Sequence, residues 1–172
     1  MAMNCEVVLK NIRENLRNYI TTNGIKSLVI GVSGGIDSTI CCAIAHPVCL
    51  ELKVPLIGIS IPIESNKPEE ISRAKDVCSA FCDKFHEIDL TTLYKIERDS
   101  LWGAAGVLGL DLEVTNIAYK IANGNLKARS RMRLLYHIAG ITKGMVLSTD
   151  NKTEYNVGFW TLHGDVGDYG MI

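Results

Sequence analysis

The sequence predicts an α/β protein, a doubly wound parallel sheet with helices on both faces. Three observations lead there. Short apolar runs rich in β-branched residues, at 27–30, 56–61 and 144–148, are too short for buried helices and read as strands. Segments with apolar residues at helical spacing separate them, and strands joined through helices call for right-handed crossovers and a parallel sheet. The first run ends in a glycine-rich loop that opens directly into a helix, the kind of junction at which such sheets hold ligands.

In chain order, a helix is expected over 4–22, with Val8, Ile12, Leu16 and Tyr19 or Ile20 on one face, stopped by Asn23-Gly24. The strand at 27–30 and the loop follow. The next helix begins near Ser38 and ends before Val54-Pro55, with Pro47 marking a kink or break. The run 56–61 is a buried strand closed by Pro62. A loop at 65–68 leads to a helix that carries Pro68 in its first turn and turns Ile71, Ala74, Val77, Cys78 and Phe81 inward. A short strand is expected at 86–89, a helix at 92–104 and a glycine-rich turn at 106–109. A helix over 112–122 is broken by Asn123-Gly124, and Asn125 caps a second one running to 142. The strand at 144–148 completes the sheet.

At 172 residues the chain is about one domain, and 47% hydrophobic with 22% charged residues is an ordinary soluble composition. A formal net charge of −1 gives no global electrostatic reason to expect a nucleic-acid partner. No apolar run approaches a membrane span, and Glu6 and Lys10 interrupt any signal-peptide core, so no membrane partner and a cytoplasmic location are expected. The cysteines, Cys5, Cys41, Cys42, Cys49, Cys78 and Cys82, lack Cys-x-x-Cys spacing and read as small buried hydrophobes. Cys41, in the first turn after the loop, is the one for which a helix N-terminus would lower the thiol pKa.

The loop consists of Gly31, Val32, Ser33, Gly34, Gly35, Ile36, Asp37 and Ser38. The backbone N–H groups opening a helix lack partners within it and sit at the positive end of its dipole, so an anion, best a phosphate, is the expected occupant. Gly34 and Gly35 let oxygen atoms approach the backbone, and Ser33 and Ser38 add hydroxyl donors. A bare strand-to-helix turn needs fewer special residues. Asp37 beside phosphates is repulsive unless a cation lies between them, and magnesium is the ordinary solution. The lysine of a Walker loop is missing, which argues against kinase and GTPase readings. In a doubly wound sheet this loop should face the one after the fourth strand, 149–154, which supplies a second acid.

Ser33-Gly34-Gly35-Ile36-Asp37-Ser38 resembles the pyrophosphate-binding loop of the N-type ATP pyrophosphatases. Further motifs, Gly124-Asn125-Leu126-Lys127-Ala128-Arg129-Ser130-Arg131-Met132 with Tyr136 and Ile138-Ala139-Gly140, then Ser148-Thr149-Asp150-Asn151-Lys152-Thr153-Glu154, Gly158-Phe159-Trp160-Thr161 and His163-Gly164-Asp165, resemble the NAD synthetases in order along the chain. The resemblance implies a Rossmann-like fold of the adenine-nucleotide alpha-hydrolase type and ammonia-dependent, ATP-driven amidation of deamido-NAD to NAD through an adenylate, releasing AMP and pyrophosphate. It further implies a homodimer, with residues 31–38 and Thr149 holding ATP. Asp37 and Glu154 would be the catalytic acids that hold Mg²⁺, and Arg129 would contact deamido-NAD. Where many members have Lys-Tyr-Gly-Asp-Gly-Gly, this chain has Leu162-His163-Gly164-Asp165-Val166-Gly167, so Asp165 or Asp168 would take over substrate recognition. Family members continue past residue 172 with an ATP-contacting lysine. Residues 1–172 are therefore expected to be one such domain without the family's C-terminal part.

Other readings stand beside these. Another pyrophosphatase-type ligase, or a tRNA sulfurtransferase with Cys41 or Cys82 essential, would share the loop, as would a non-catalytic nucleotide-binding module. Glu154 lies at capping-box spacing from Asn151. Lys127, Arg129, Arg131 and Arg133 form a charge run of the kind that usually lies on a solvated helix face. Helical geometry puts Arg129 and Arg133 together and points Arg131 elsewhere.

Overall fold

Alternation along the strands divides the apolar core in two. In β1 (Leu28–Gly31) Leu28 and Ile30 point to one side of the sheet and Val29 to the other, and all three are fully buried. The first side is covered by α1 (Cys5–Asn23), α2 (Ile36–Leu52) and α3 (Pro68–Phe81), through Leu16, Ile20, Ala45, Val48, Ala74 and Cys78. The second is covered by α4 (Thr91–Val107) and α5 (Asn116–Thr142), through Tyr94, Met132, Leu135 and Ala139. Burial on both faces is why the strands read as continuous apolar runs.

The computed structural model describes residues 4–64, 66–109 and 116–172. Among them β2 (Leu56–Ser60), β3 (Lys84–Glu87) and β4 (Met145–Val146) join β1 in a sheet of order β3-β2-β1-β4. All pairings are parallel, with Leu28 opposite both Leu56 and Met145. The order reverses between β1 and β4, which defines the crevice where ligands bind in such sheets. A short α6 (Lys152–Val157) follows β4. No described helix is long and apolar enough to cross a membrane.

Helix ends follow their sequence signals. The Asn4 side chain accepts from the N–H groups of Glu6 and Val7, and Gly24, at φ 62°, closes α1 in the left-handed conformation. Pro68 opens α3 as expected. Of the predicted α1 stripe, Leu16 and Ile20 are buried while Val8 and Tyr19 are exposed, Tyr19 lying against the Tyr169 ring.

Two predicted interruptions do not occur. Pro47 does not end α2, which continues to Leu52. A proline lacks the N–H that would serve the carbonyl four residues back. That carbonyl belongs to Ala43, and it accepts instead from Arg13 Nη2 at 3.3 Å, while Ile44 O accepts from Arg13 Nε at 3.3 Å. Asn123-Gly124 likewise does not split α5. The Asn125 side chain accepts from Thr161 Oγ1 at 2.9 Å rather than capping a new helix, and Met132, Leu135 and Ala139 hold α5 on the sheet. The predicted start of that segment, from 112, and Ser65 in the predicted loop lie outside the described residues.

Boundaries shift by a few residues elsewhere. β3 lies at Lys84–Glu87 rather than 86–89, and α4 extends to Val107. β4 is shorter than the predicted 144–148: Gly144 N donates to Ala139 O at 2.8 Å in the turn after α5, and although Leu147 N still donates to Val29 O at 2.8 Å, the chain from Val146 onward also meets the segment at 168–169. Leu147 bridges Tyr169, Ser148 N donates to Tyr169 O at 2.9 Å, and Asp168 N donates to Val146 O at 2.8 Å.

Candidate functional site

The loops leaving β1 and β4 meet over the carboxyl ends of the strands. After Gly31, Val32 N still donates to Ile59 O at 2.9 Å, and the chain then turns through Gly34 at φ 78°. A Cβ on Gly34 would stand 2.3 Å from Glu70 O, 3.1 Å from Ala74 N and 3.2 Å from Arg73 Cβ. Arg73 Nε also donates to Gly34 O at 3.1 Å. Glycine at 34 is thus required by its backbone conformation and by the approach of α3, in addition to any ligand.

Gly35 is the N-cap of α2 and brings no side-chain cap, so the first-turn N–H groups of that helix keep their capacity to bind an anion. The serines are partly occupied in shaping the loop. Gly35 N donates to Ser33 Oγ at 3.2 Å, and buried Ser38 donates its hydroxyl to Gly35 O at 3.1 Å.

Across the crevice, Asn151 caps α6 by accepting from Thr153 N and Glu154 N, and its own N–H donates to Glu154 Oε2 at 3.0 Å. This is the capping box anticipated from spacing. The same Asn151 donates from Nδ2 to Asp37 Oδ1 at 3.3 Å. One asparagine therefore ties the two acid-bearing loops together. Asp37 and Glu154 each keep a second carboxylate oxygen that these bonds do not use.

Both acids line a cavity of about 410 Å³. Gly31, Val32, Ser33 and Ser38 form its floor with Asp37, and Thr149 and Asp150 stand beside Glu154. The ends of β2, Ile59 and Ile61, supply an apolar wall with Met132 and Leu135 of α5. Phe159, Gly164 and Asp165 close the far side. Asp165 is held by Thr161 N, which donates to Oδ2 at 2.6 Å.

Hard oxygen donors from facing loops suit Mg²⁺, which is bound through one or two carboxylates and fills its shell with water and phosphate oxygens. Asp37 and Glu154 fit that description. Among the described residues no group of three or more His, Cys, Asp or Glu side chains forms a closed metal cage.

Other predicted site residues lie elsewhere. Gly34, Gly35 and Ile36 are outside the cavity lining, Ile36 being largely exposed. Arg129 donates from Nε to Leu162 O at 3.0 Å, also outside the lining. Asp168 accepts from Val146 N at 2.8 Å and from the Tyr136 hydroxyl at 3.0 Å, which binds the C-terminal segment to β4. Burial, reinforced by that bond and the charge of Asp168, pushes the Tyr136 hydroxyl up to about 12.

Cys41 is buried, as the reading of the cysteines as small hydrophobes anticipates, and the lowered thiol pKa considered for it does not occur. Burial, reinforced by the charges of Asp37 and Asp150, pushes its thiol up to about 12, and Sγ sits 3.6 Å from Ser148 O. Removal from water outweighs the pull of the helix N-terminus. Cys82, at the end of α3, behaves oppositely, because the Cys42 and Cys78 thiols bond to it and hold it below the ordinary range. Neither cysteine lines the cavity. Two residues that were not among the expected site residues stand at the cavity. Asn151 couples the acids, and Arg131 enters the cavity from α5. The only available signal for Arg131 was helical phase, which separated it from Arg129 and Arg133.

The family model described as NAD synthase matches residues 8–169. The NH(3)-dependent NAD(+) synthetase of Methanocaldococcus jannaschii is 32% identical over 161 residues, covering 94% of this chain and 58% of that protein. The protein of the same name from Methanococcus aeolicus is 30% identical over 173 residues, covering 99% and 63%. The chain thus spans less than two thirds of the length of these relatives. The solved NH3-dependent NAD synthetase from Campylobacter jejuni superposes with a TM-score of 0.81 over 99% of this chain and 68% of that one, at 22% identity, which shows a common fold. Since the family match runs unbroken from the first helix to the strand-pairing segment at Tyr169, through both acid-bearing loops and the cavity between them, this chain belongs to the NAD synthase family.

Proposed function

We propose that this chain forms the nucleotide-binding unit of an ammonia-dependent NAD synthetase, which amidates deamido-NAD to NAD at the expense of ATP. The observation that carries the reading is the meeting of an uncapped, glycine-bearing helix start with a second acidic loop in one cavity, tied through Asn151 and Asp37. The polyphosphate of ATP takes the first turn of α2, and the base takes the apolar wall at Ile59, Ile61 and Met132.

The reaction needs no side-chain nucleophile. The substrate carboxylate attacks the α-phosphorus, the bond to the β-phosphate oxygen breaks and pyrophosphate leaves. Ammonia then attacks the acyl carbon, loses a proton, and AMP departs with the carbon–oxygen bond electrons. The chain contributes position and charge, the two effects that dominate such transfers. Asp37 and Glu154 would hold Mg²⁺, which supplies neutralisation of phosphate charge. Thr149 offers a hydroxyl to ATP, and Arg129, Asp165 and Asp168 are candidates for the deamido-NAD side.

A homodimer fits the surface. Leu93, Ile96 and Leu101 of α4, with Ile117 and Ile121 of α5, are 47–70% exposed, an apolar area that a second copy would cover.

The deciding assay is conversion of deamido-NAD, MgATP and ammonia into NAD and pyrophosphate by the purified chain, with calorimetry for each ligand. Asp37→Ala should abolish AMP release while melting like the parent, and AMP release at the parental rate would refute the role given to Asp37. ATP binding without turnover would favour the non-catalytic nucleotide-binding reading.

A further inference from the structure

We propose that Arg131 is a second anion-binding group of the cavity and takes the phosphoryl group attached to the nucleoside of the bound nucleotide. The assignment deepens the nucleotide reading above and rests on it. Its neighbours on α5 are committed elsewhere, Arg133 to Glu97 at 3.0 Å and Arg129 to Leu162 O at 3.0 Å. Arg131 instead crosses to the segment after β2. Its Nε donates to Ile61 O at 2.9 Å and its Nη2 to Asn66 Oδ1 at 3.2 Å. Asn66 Oδ1 is itself fixed by Ile63 N at 2.9 Å.

Two neutral oxygens therefore orient the guanidinium without cancelling its charge. The salt bridges among the described residues use Arg17, Arg98, Lys127 and Arg133, and none includes Arg131. Burial holds Arg131 below the ordinary arginine range, with Asp165 opposing that shift through space. Asp165 is already bonded to Thr161 N. A cation withdrawn from water and held by neutral acceptors is costly until an opposite charge completes it. Arg131 lines the cavity, and a guanidinium has five N–H donors, more than the two bonds to Ile61 and Asn66 use.

Its place on the wall selects the phosphoryl group. The terminal phosphates belong at the first turn of α2, the base at the apolar ends of β2. Arg131 hangs from Ile61 on that apolar side, so the charge within its reach is the one nearest the nucleoside. A planar fork matches a phosphoryl group with two parallel bonds.

Calorimetry of the full 172-residue chain with AMP and with adenosine separates the charge from the base. The unaltered chain should bind AMP more tightly than adenosine. Arg131→Met should weaken AMP roughly 10- to 100-fold while adenosine changes by less than about threefold, so that the preference collapses. Arg131→Lys should retain most of it. If Arg131→Met lacks a cooperative melt, Arg131→Gln, which keeps a donor toward Ile61 without the charge, carries the same comparison. Equal loss for both ligands, or an unchanged AMP preference, overturns the assignment. If the unaltered chain binds neither AMP, adenosine nor ATP, the nucleotide reading itself fails and the assignment falls with it. That result is distinct from binding whose AMP preference ignores Arg131.

Discussion

Gly34→Ala tests whether the loop is shaped by helix packing as well as by its ligand. The alanine Cβ would meet Glu70 O at 2.3 Å, with Ala74 N and Arg73 Cβ at 3.1 and 3.2 Å, and since the closest of these is backbone, α3 itself must shift. The helix must back off by roughly 1 Å to restore van der Waals separation, which loosens the Ala74 and Cys78 packing behind it. Alanine at φ 78° adds about 1–2 kcal/mol of backbone strain, and overpacking typically costs about 1–3 kcal/mol. A loss of about 2–5 kcal/mol corresponds to a fall of roughly 4–20 °C in melting temperature for a chain of this size. Gly35→Ala is the control. Gly35 sits at φ −85°, and its added Cβ would meet Ser33 Oγ at 3.2 Å, so stability should drop by less than about 1 kcal/mol while ATP binding weakens. Urea melts followed through Trp102 and Trp160 read the first effect and calorimetry the second. A Gly34→Ala melt within about 0.5 kcal/mol of the parent, or a larger loss for Gly35→Ala, would refute the packing argument.

Asn151→Ala removes the α6 cap and the bond to Asp37. It should cost about 1 kcal/mol in urea melts and raise the KM for ATP, whereas an unchanged KM would separate Asn151 from the site. Asp168→Ala leaves Val146 N without its 2.8 Å acceptor and should destabilise by about 1–3 kcal/mol, with Tyr169 becoming more accessible in hydrogen–deuterium exchange of its segment. Alkylation at pH 7 followed by mass spectrometry should find Cys82 modified at least roughly tenfold faster than Cys41 or Cys49, and the reverse order would contradict the thiol environments described. Cys41 and Cys49 are both pushed up to about 12 by burial, so unfolded thiols ionise first as pH rises. Their contribution to stability is complete below the unfolded value near 8.5 and is lost between there and about 12, by at most about 1.4 kcal/mol per pH unit for each thiol. Urea melts from pH 8 to 10.5 should show that decline, and it should shrink in Cys49→Ala.

Much of the fold was legible because its signals are local. The β-branched run ending at Ile30, the Asn4 and Gly24 caps and Pro68 each act within a turn of the chain. Pro47 and Asn123-Gly124 misled for the complementary reason. Their local preference to interrupt a helix is real, but Arg13, from another helix, serves the carbonyl that Pro47 leaves, and the packing of α5 on the sheet holds Gly124 in register. The site divides in the same way. The residues from Gly31 to Ser38 and the acid at 154 stand in contiguous motifs, and the strand order implied by alternating strands and helices brought them face to face. Arg131 and Asn151 owe their positions to partners 65 and 114 positions away in sequence, Asn66 and Asp37, which no spacing rule connects.

The sequence by itself determined the parallel sheet, the glycine-bearing start of α2, the position of an acid on each facing loop and the family, since each depends on neighbouring residues or on an ordered set of motifs. Only the tertiary structure decided that Gly34 yields to α3, that Cys41 is a buried neutral thiol, and that Arg131 rather than Arg129 enters the cavity. Burial, close approach and the supply of countercharge are properties of surfaces brought together in space. They depend on which distant atoms arrive as much as on the residue that receives them.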